Sequence, residues 1–279
     1  MSDKLIINLA LTGMVARRSD NPALPETAEE IAADCARCAD AGVSIVHIHA
    51  RDDGEPTHRR EIYAGIIAAI RRRCPDLLIC VSCSGRTQPE LDKRAEVLQL
   101  EGAEKPDLAS LTLGSMNFPA QVSANSPATI VGLAETMARC GITPELEAFE
   151  VGMIDYARSL IDAGVLRRPY HFNLFFGSRG SLALSPLNLG TMLAALPAGA
   201  TWAAAGIGRH QLNANVMAIA AGGHVRLGLE DNLFMDAART DPATNLRLVE
   251  RLATIARSMG REPATAAEAR AIIGLPARP

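Results

Sequence analysis

Short apolar runs alternate with amphipathic stretches along the whole chain. Runs of about four to seven apolar and β-branched residues read as buried strands, and apolar positions recurring at three and four residues read as helices. The pattern predicts a first strand over Leu5–Leu11 and a helix over Ala28–Asp40. Thr27 and Glu30 form a capping box ahead of that helix, and Gly42 stops it. A second strand is predicted at Val43–His49, with a helix over Arg60–Arg73 ended by Pro75. The rhythm then repeats: strands at Leu77–Ser82, Leu108–Leu113, Glu145–Phe149, Tyr170–Phe176, Thr201–Ala205 and His224–Leu229. The matching helices are Leu91–Leu100, Ala128–Arg139, Met153–Ala163, Leu187–Leu196, Gln211–Ala221 and Thr244–Met259, and a short helix, Ala266–Ile272, closes the chain.

Unbroken strand–helix alternation implies an α/β protein with a parallel sheet. Eight units in 279 residues, without a linker or low-complexity break, predict a (β/α)8 TIM barrel. The expected organisation is one barrel domain over residues 1–279 with a short C-terminal helical extension. A doubly wound open sheet would want a glycine-rich phosphate turn after the first strand. That turn reads Thr12-Gly13-Met14-Val15 instead.

Composition narrows the function. Lys plus Arg is 28 and Asp plus Glu is 31, a net charge of -3, which argues against nucleic acid. Aromatics are only 4%, which argues against stacking platforms for bases or sugars. No apolar run reaches the ~18 residues of a membrane span. Lys4 to Val15 resembles a signal-peptide core, but Arg17-Arg18 stand where a small-residue cleavage site should be. The expectation is a cytoplasmic protein whose six cysteines are reduced thiols. Cys35/Cys38 and Cys80/Cys83 have C-x-x-C spacing but sit in a helix pattern and a strand pattern, so no structural zinc site is expected there.

Barrel enzymes work at the C-terminal ends of their strands. The second strand ends in His47-Ile48-His49, and residues at i and i+2 share a side of a strand. Two imidazoles facing the mouth can bind a divalent metal with a third, carboxylate ligand. The eighth strand offers Glu230 and Asp231, and Arg226 shares parity with Glu230. A buried arginine there needs a carboxylate partner. The third and fourth strands end in Ser82, Ser84 and Gly85, and in Ser110 and Asn117, small groups able to donate to a substrate carboxylate. After the seventh strand, Gly208 and Arg209 suit a phosphate. From these residues alone, a metal-dependent hydrolase on the same barrel and a non-catalytic acyl-CoA or metal-binding protein remain alternatives.

The segments His47–Gly54, Gly114–Phe118, Trp202–Gly208 and above all Gly222–Asn232 resemble the β-keto acid cleavage enzymes over nearly the whole chain. The resemblance implies a zinc-dependent barrel that takes a β-keto acid and acetyl-CoA to acetoacetate and a new acyl-CoA. It implies His47, His49 and Glu230 as zinc ligands, and Asp231 as general base balanced by Arg226. It places Ser82 on the keto acid and Ser110 near the reaction. It also implies a cytoplasmic homotetramer. The 3-keto-5-aminohexanoate enzymes carry a glutamate where this chain has Val15, so a keto acid with a neutral or apolar tail is expected. Arg17 and Arg18 leave a second carboxylate on the keto acid open, with a solvated loop pair as the plainer reading.

Overall fold

The computed structural model describes residues 4–118 and 121–278. Eight parallel strands close into a barrel. They are β1 (Ile7–Ala10), β2 (Ile45–Ile48), β3 (Leu78–Val81), β4 (Leu108–Thr112), β5 (Thr143–Ala148), β6 (His171–Phe176), β7 (Thr201–Gly206) and β8 (His224–Leu227). Closure comes where β8 pairs with β1, Arg226 opposite Asn8. The helices between them are α1 (Ala28–Asp40), α2 (Arg60–Arg73), α3 (Leu91–Arg94), α4 (Pro127–Cys140), α5 (Val151–Asp162), α6 (Pro186–Ala195), α7 (Gln211–Ala220) and α8 (Asn245–Ser258). The capping box at Thr27 forms, and Gly141, at φ 62°, ends α4 in the left-handed conformation. No helix among the described residues is long and apolar enough to cross a membrane.

The main core lies outside the barrel. Outward residues such as Val46, Ile79 and Leu111 pack on Ile31, Ile67 and Leu133 of the helices. Inside, Ile6, Ile45, Leu78 and Leu108 form a separate apolar floor. The C-terminal helix α9 (Ala266–Ile273) seals that floor with Ala269, Ile273 and the following Leu275. Asp107 ties the plug down by accepting from Arg71 at 2.9 Å and from Arg270. Above the floor the interior turns polar: Asn8, His47, Cys80, Glu145, Asn173 and Arg226 are all buried. Branched aliphatics usually fill that level of a barrel.

Some local expectations change. The predicted first strand divides: Lys4–Leu5 pairs with Glu262–Pro263 below the barrel, and only Ile7–Ala10 joins the wall. The helix expected over Leu91–Leu100 stops at Arg94 and continues as a 3-10 turn, Glu96–Gln99, which sends Val97 and Leu98 into the core together. Two small hairpins were not anticipated. Ala50–Asp52 pairs with Glu55–Thr57 around Asp53-Gly54, both at positive φ, the Asp-Gly turn that such hairpins favour. Met116–Asn117 pairs with Val122–Ser123 at the barrel mouth.

Candidate active site

The C-terminal strand ends open into a cavity of about 820 Å3. Two glycines let its acidic wall form. Gly228 ends β8 at φ +141°, where a Cβ would lie 2.1 Å from the carbonyl oxygen of Ala10. Gly13, at φ +68°, stands where a Cβ would lie 2.5 Å from Cγ of Glu230. Only glycine permits both backbones to come so close. Asn245 accepts from Leu229 N–H at 2.9 Å and donates to the Leu11 carbonyl at 3.2 Å, joining the ends of β1 and β8.

His47 and His49 project inward from the end of β2, their Nε2 atoms 3.1 Å apart. Glu230 reaches both: Oε1 is 3.3 Å from His49 Nε2 and Oε2 is 3.8 Å from His47 Nε2. The three donors lie within 4.8 Å of one another. Burial holds His47 well below its ordinary value, so its ring is neutral. Burial also opposes the charge on Glu230, but His49 and Arg226 outweigh it and hold the carboxylate well below its ordinary range. Glu230 Oε2 is buried without a hydrogen-bond partner. Two facing imidazole nitrogens and an orphaned carboxylate oxygen are the donor set of a divalent metal.

The far side of His47 meets Glu145, whose Oε2 is 3.6 Å from Nδ1. His47, Cys80 and Glu145 also converge closely enough to hold an ion. However, burial pushes the Cys80 thiol far up, and it donates to Glu145 Oε2 at 3.4 Å. Glu145 fits better as the carboxylate that orients His47 from behind. Asn8 Nδ2 donates to its other oxygen at 2.6 Å, and burial pushes Glu145 up to about 7.

Arg226 lies beneath the acidic wall with 2% of its side chain exposed. It donates to Glu230 Oε1 at 2.8 Å and to Asp231 Oδ2 at 3.2 Å. Glu145 and Glu147 each lie 3.7 Å from Nη1. Burial opposes its charge, but these carboxylates outweigh it and hold the pKa well above the ordinary value. Asp231 responds in the other direction. Burial pushes it up to about 6 against the pull of Arg226. A carboxylate poised there can take and return a proton near neutral pH.

The cavity gathers Val15, His47, His49, Ser82, Ser84, Ser110, Gly208, Arg209, Arg226, Glu230 and Asp231 from the sequence expectations. Two of those expectations do not reach it. Gly85 is buried against Arg94, where a Cβ would lie 2.8 Å from Nη1, and is not among the residues that line the cavity. Asn117 is exposed on its hairpin, and the next residue, Phe118, lines the cavity in its place. Arg17 pairs with Glu55, and Arg18 with Glu26 and Glu30, as surface ion pairs. Val15 stands at the rim, 66% exposed.

Several site residues escaped the sequence reading. Glu145-x-Glu147 carries the same same-side spacing as His47-x-His49 and was legible on that ground. Asn8, a polar residue inside an apolar first strand, was a weaker sign. Nothing local marked Phe149 or Phe175, which line the cavity with Arg86 and Phe118.

Comparison with known proteins agrees with this architecture. The beta-keto acid cleavage enzyme family profile matches residues 4–275. The 3-keto-5-aminohexanoate cleavage enzyme of Fusobacterium nucleatum is 39% identical over 277 residues, 99% of each chain. The 3-oxoadipate:acetyl-CoA acetyltransferase of Cupriavidus necator is 36% identical, covering 99% of this chain and 96% of that one. The apo structure of ObcA superposes with a TM-score of 0.79 at 22% identity, a likeness of fold. The alignment covers 91% of this chain and spans 66% of the ObcA chain.

Proposed function

The chain belongs to the beta-keto acid cleavage enzyme family, and we propose that it carries out the family's exchange through a zinc ion held by His47, His49 and Glu230, on a β-keto acid with an uncharged tail. Its general reaction is acetyl-CoA-dependent cleavage of a β-keto acid with acyl transfer. The observation that carries the metal assignment is the convergence of two Nε2 atoms and an unpartnered Glu230 oxygen. A bound zinc ion supplies Lewis-acid polarisation of the keto oxygen.

The residues divide the remaining work. Asp231 takes a proton from carbon 2 of the keto acid, between its two carbonyl groups. Carbon 2 attacks the acetyl carbon of acetyl-CoA, and the coenzyme A thiolate leaves. That thiolate adds to carbon 3, the bond between carbons 2 and 3 breaks, and Asp231 returns its proton to carbon 2 of acetoacetate. Carbon 3 and its tail depart as the new thioester. Arg226 keeps Asp231 aimed at the cavity. Gly208 and Arg209, which line the cavity beside Asp231, suit the phosphates of coenzyme A. Val15 and Met14 at the mouth offer no charge to an ammonium tail, which supports a neutral or apolar one.

The test is a panel of β-keto acids with cationic, neutral and anionic tails, each with acetyl-CoA and zinc-loaded protein. Acetoacetate and a matching acyl-CoA are expected, fastest with neutral tails. Release of free coenzyme A without a new thioester would mean hydrolysis and overturn the assignment. A preference for the cationic tail would overturn the reading of Val15.

A further inference from the structure

Arg51 serves the mouth of the cavity from behind its wall. It sits on the hairpin after β2 with 1% of its side chain exposed, and it does not line the cavity. A guanidinium buried to that depth has to place its donors, because each one left bare costs its hydration. Nη2 donates to the Gly13 carbonyl at 2.9 Å and to the Ala16 carbonyl at 2.7 Å. Nη1 donates to the Gly54 carbonyl at 3.0 Å, and Glu26 Oε1 lies 3.5 Å from it. Of its three nitrogens only Nε lacks a partner among the described residues. One nitrogen therefore holds both feet of a four-residue arch, residues 13–16. The span of that arch is Met14 and Val15, and both line the cavity.

The arch has little else to fix it. Among the described residues, residues 13–16 make no backbone-to-backbone hydrogen bond. The chain before them is tied where Thr12 Oγ1 donates to the Pro25 carbonyl at 2.7 Å, and the chain after them where Arg17 N–H donates to Asp20 at 2.9 Å. Gly13 lies against Glu230 with no room for a Cβ, so the inner foot has a wall at its back. The outer foot, Ala16, depends on Arg51. The hairpin that carries Arg51 forms its own two-stranded sheet, apart from the barrel wall. Its turn carbonyl, on Gly54, accepts from Arg51 on the buried side and from Arg17 on the exposed side. Arg17 also pairs with Glu55 at 2.9 Å. The hairpin is thus a bracket that reaches across from β2 to hold the loop after β1.

We propose that Arg51 is a positioning residue for substrate selection: by holding both feet of the arch it fixes Met14 and Val15 in advance, and so sets which keto-acid tails the site accepts. A wall that cannot yield discriminates between tails, because a misfit group must stay misplaced or unsolvated. A wall free to swing into solvent adapts to any tail and lets water follow a charged one. The ordering of the arch is completed in the folded protein and does not draw on the binding of the substrate. Arg51 exerts this control without touching the keto acid. The inference rests on the reaction assigned above.

The test uses the whole zinc-loaded enzyme, with R51Q, R51K and R17Q. In R51Q the KM for the preferred keto acid should rise about 10- to 100-fold, the effect of a wall displaced by roughly 1 Å, with KM for acetyl-CoA unchanged. The preference for neutral over charged tails, as a ratio of kcat/KM, should shrink about 10-fold. R51K should restore part of both, since an ammonium keeps the charge but not the fork that spans two carbonyls. It carries the test if R51Q does not fold. R17Q leaves both feet held and should keep the wild-type preference. Limited trypsin digestion reads the arch without turnover: cleavage after Arg18, followed by mass spectrometry, should quicken about 10-fold in R51Q and less in R51K. Wild-type preference and wild-type cleavage in R51Q overturn the proposal. So does a lowered melting temperature with unchanged preference, which would make Arg51 a prop of the fold only, or a loss that falls on acetyl-CoA. A wild type that forms no acetoacetate refutes the reaction itself, whereas an active wild type matched by R51Q refutes the arch alone.

Discussion

Gly13→Ala isolates how the third metal ligand is delivered. The new Cβ would lie 2.5 Å from Glu230 Cγ and 3.0 Å from Glu230 Cβ. Carbon atoms in contact prefer about 3.5–4.0 Å, so Glu230 must retreat by roughly 1 Å. Metal–ligand distances tolerate about 0.2 Å, so a retreat of that size removes the carboxylate from the ligand set. The left-handed φ of +68° adds about 1–2 kcal/mol of backbone strain. The fold should survive this, because the strain falls on a loop at the mouth and leaves the barrel wall and floor intact. Zinc affinity, measured by competition with a chromogenic chelator, should fall at least about 10- to 100-fold. Turnover should fall with it, and the melting temperature of the metal-free protein should drop by only a few degrees. Wild-type zinc affinity in Gly13→Ala would refute the assignment of Glu230 as a ligand.

Further outcomes follow from the same geometry. Asp231→Asn should keep its zinc and lose about 10^2- to 10^4-fold in kcat, the range of a lost general base; unchanged turnover removes Asp231 from the proton transfer. Arg226→Met leaves four carboxylates facing one another without a cation. Removing one partner of a buried ion cluster costs about 3–5 kcal/mol, a drop on the order of 6–20 °C in Tm by calorimetry, and a shift under 2 °C would show the charges to be balanced elsewhere. At the barrel floor, burial holds His171 down to about 4 and His224 down to about 3. Both stay neutral in the fold while the unfolded chain takes up protons below about 6.5. Stability present above about pH 6.5 is therefore lost as pH falls toward 4. His171→Asn should flatten the pH slope of the urea-unfolding free energy by up to roughly 1.4 kcal/mol per pH unit over that window, and an unchanged slope would contradict the burial argument.

The barrel was legible because its signals are local and repeated. Each strand announces itself by a short apolar run and each helix by its period, caps and stop residues, so eight units could be counted before any contact was known. The His47-x-His49 pair was legible for the same reason, since parity along a strand is a property of neighbouring residues. The Asp53-Gly54 pair is an equally local turn signal, but the segments beside it, Ala50–Asp52 and Glu55–Thr57, are too short and too polar to show a strand pattern. The split of the first strand was not available: whether Lys4–Leu5 joins the wall or pairs with Glu262–Pro263 depends on where the C-terminal segment returns.

What the chain determined by itself is therefore the kind of fold, the inward parity of the histidines, and the segment that carries Arg226, Glu230 and Asp231. Tertiary structure decided what those groups meet. Asn8 and Glu145 are 137 residues apart and become hydrogen-bonded partners only when the barrel closes. Glu145 faces His47, Gly13 makes room for Glu230, and Arg86 lies on Phe118 rather than on a carboxylate. Periodicity fixes which side of a strand a residue occupies. Strand order, tilt and register set which sides converge at the mouth, and those are settled by packing across the whole barrel, where no single segment holds the information.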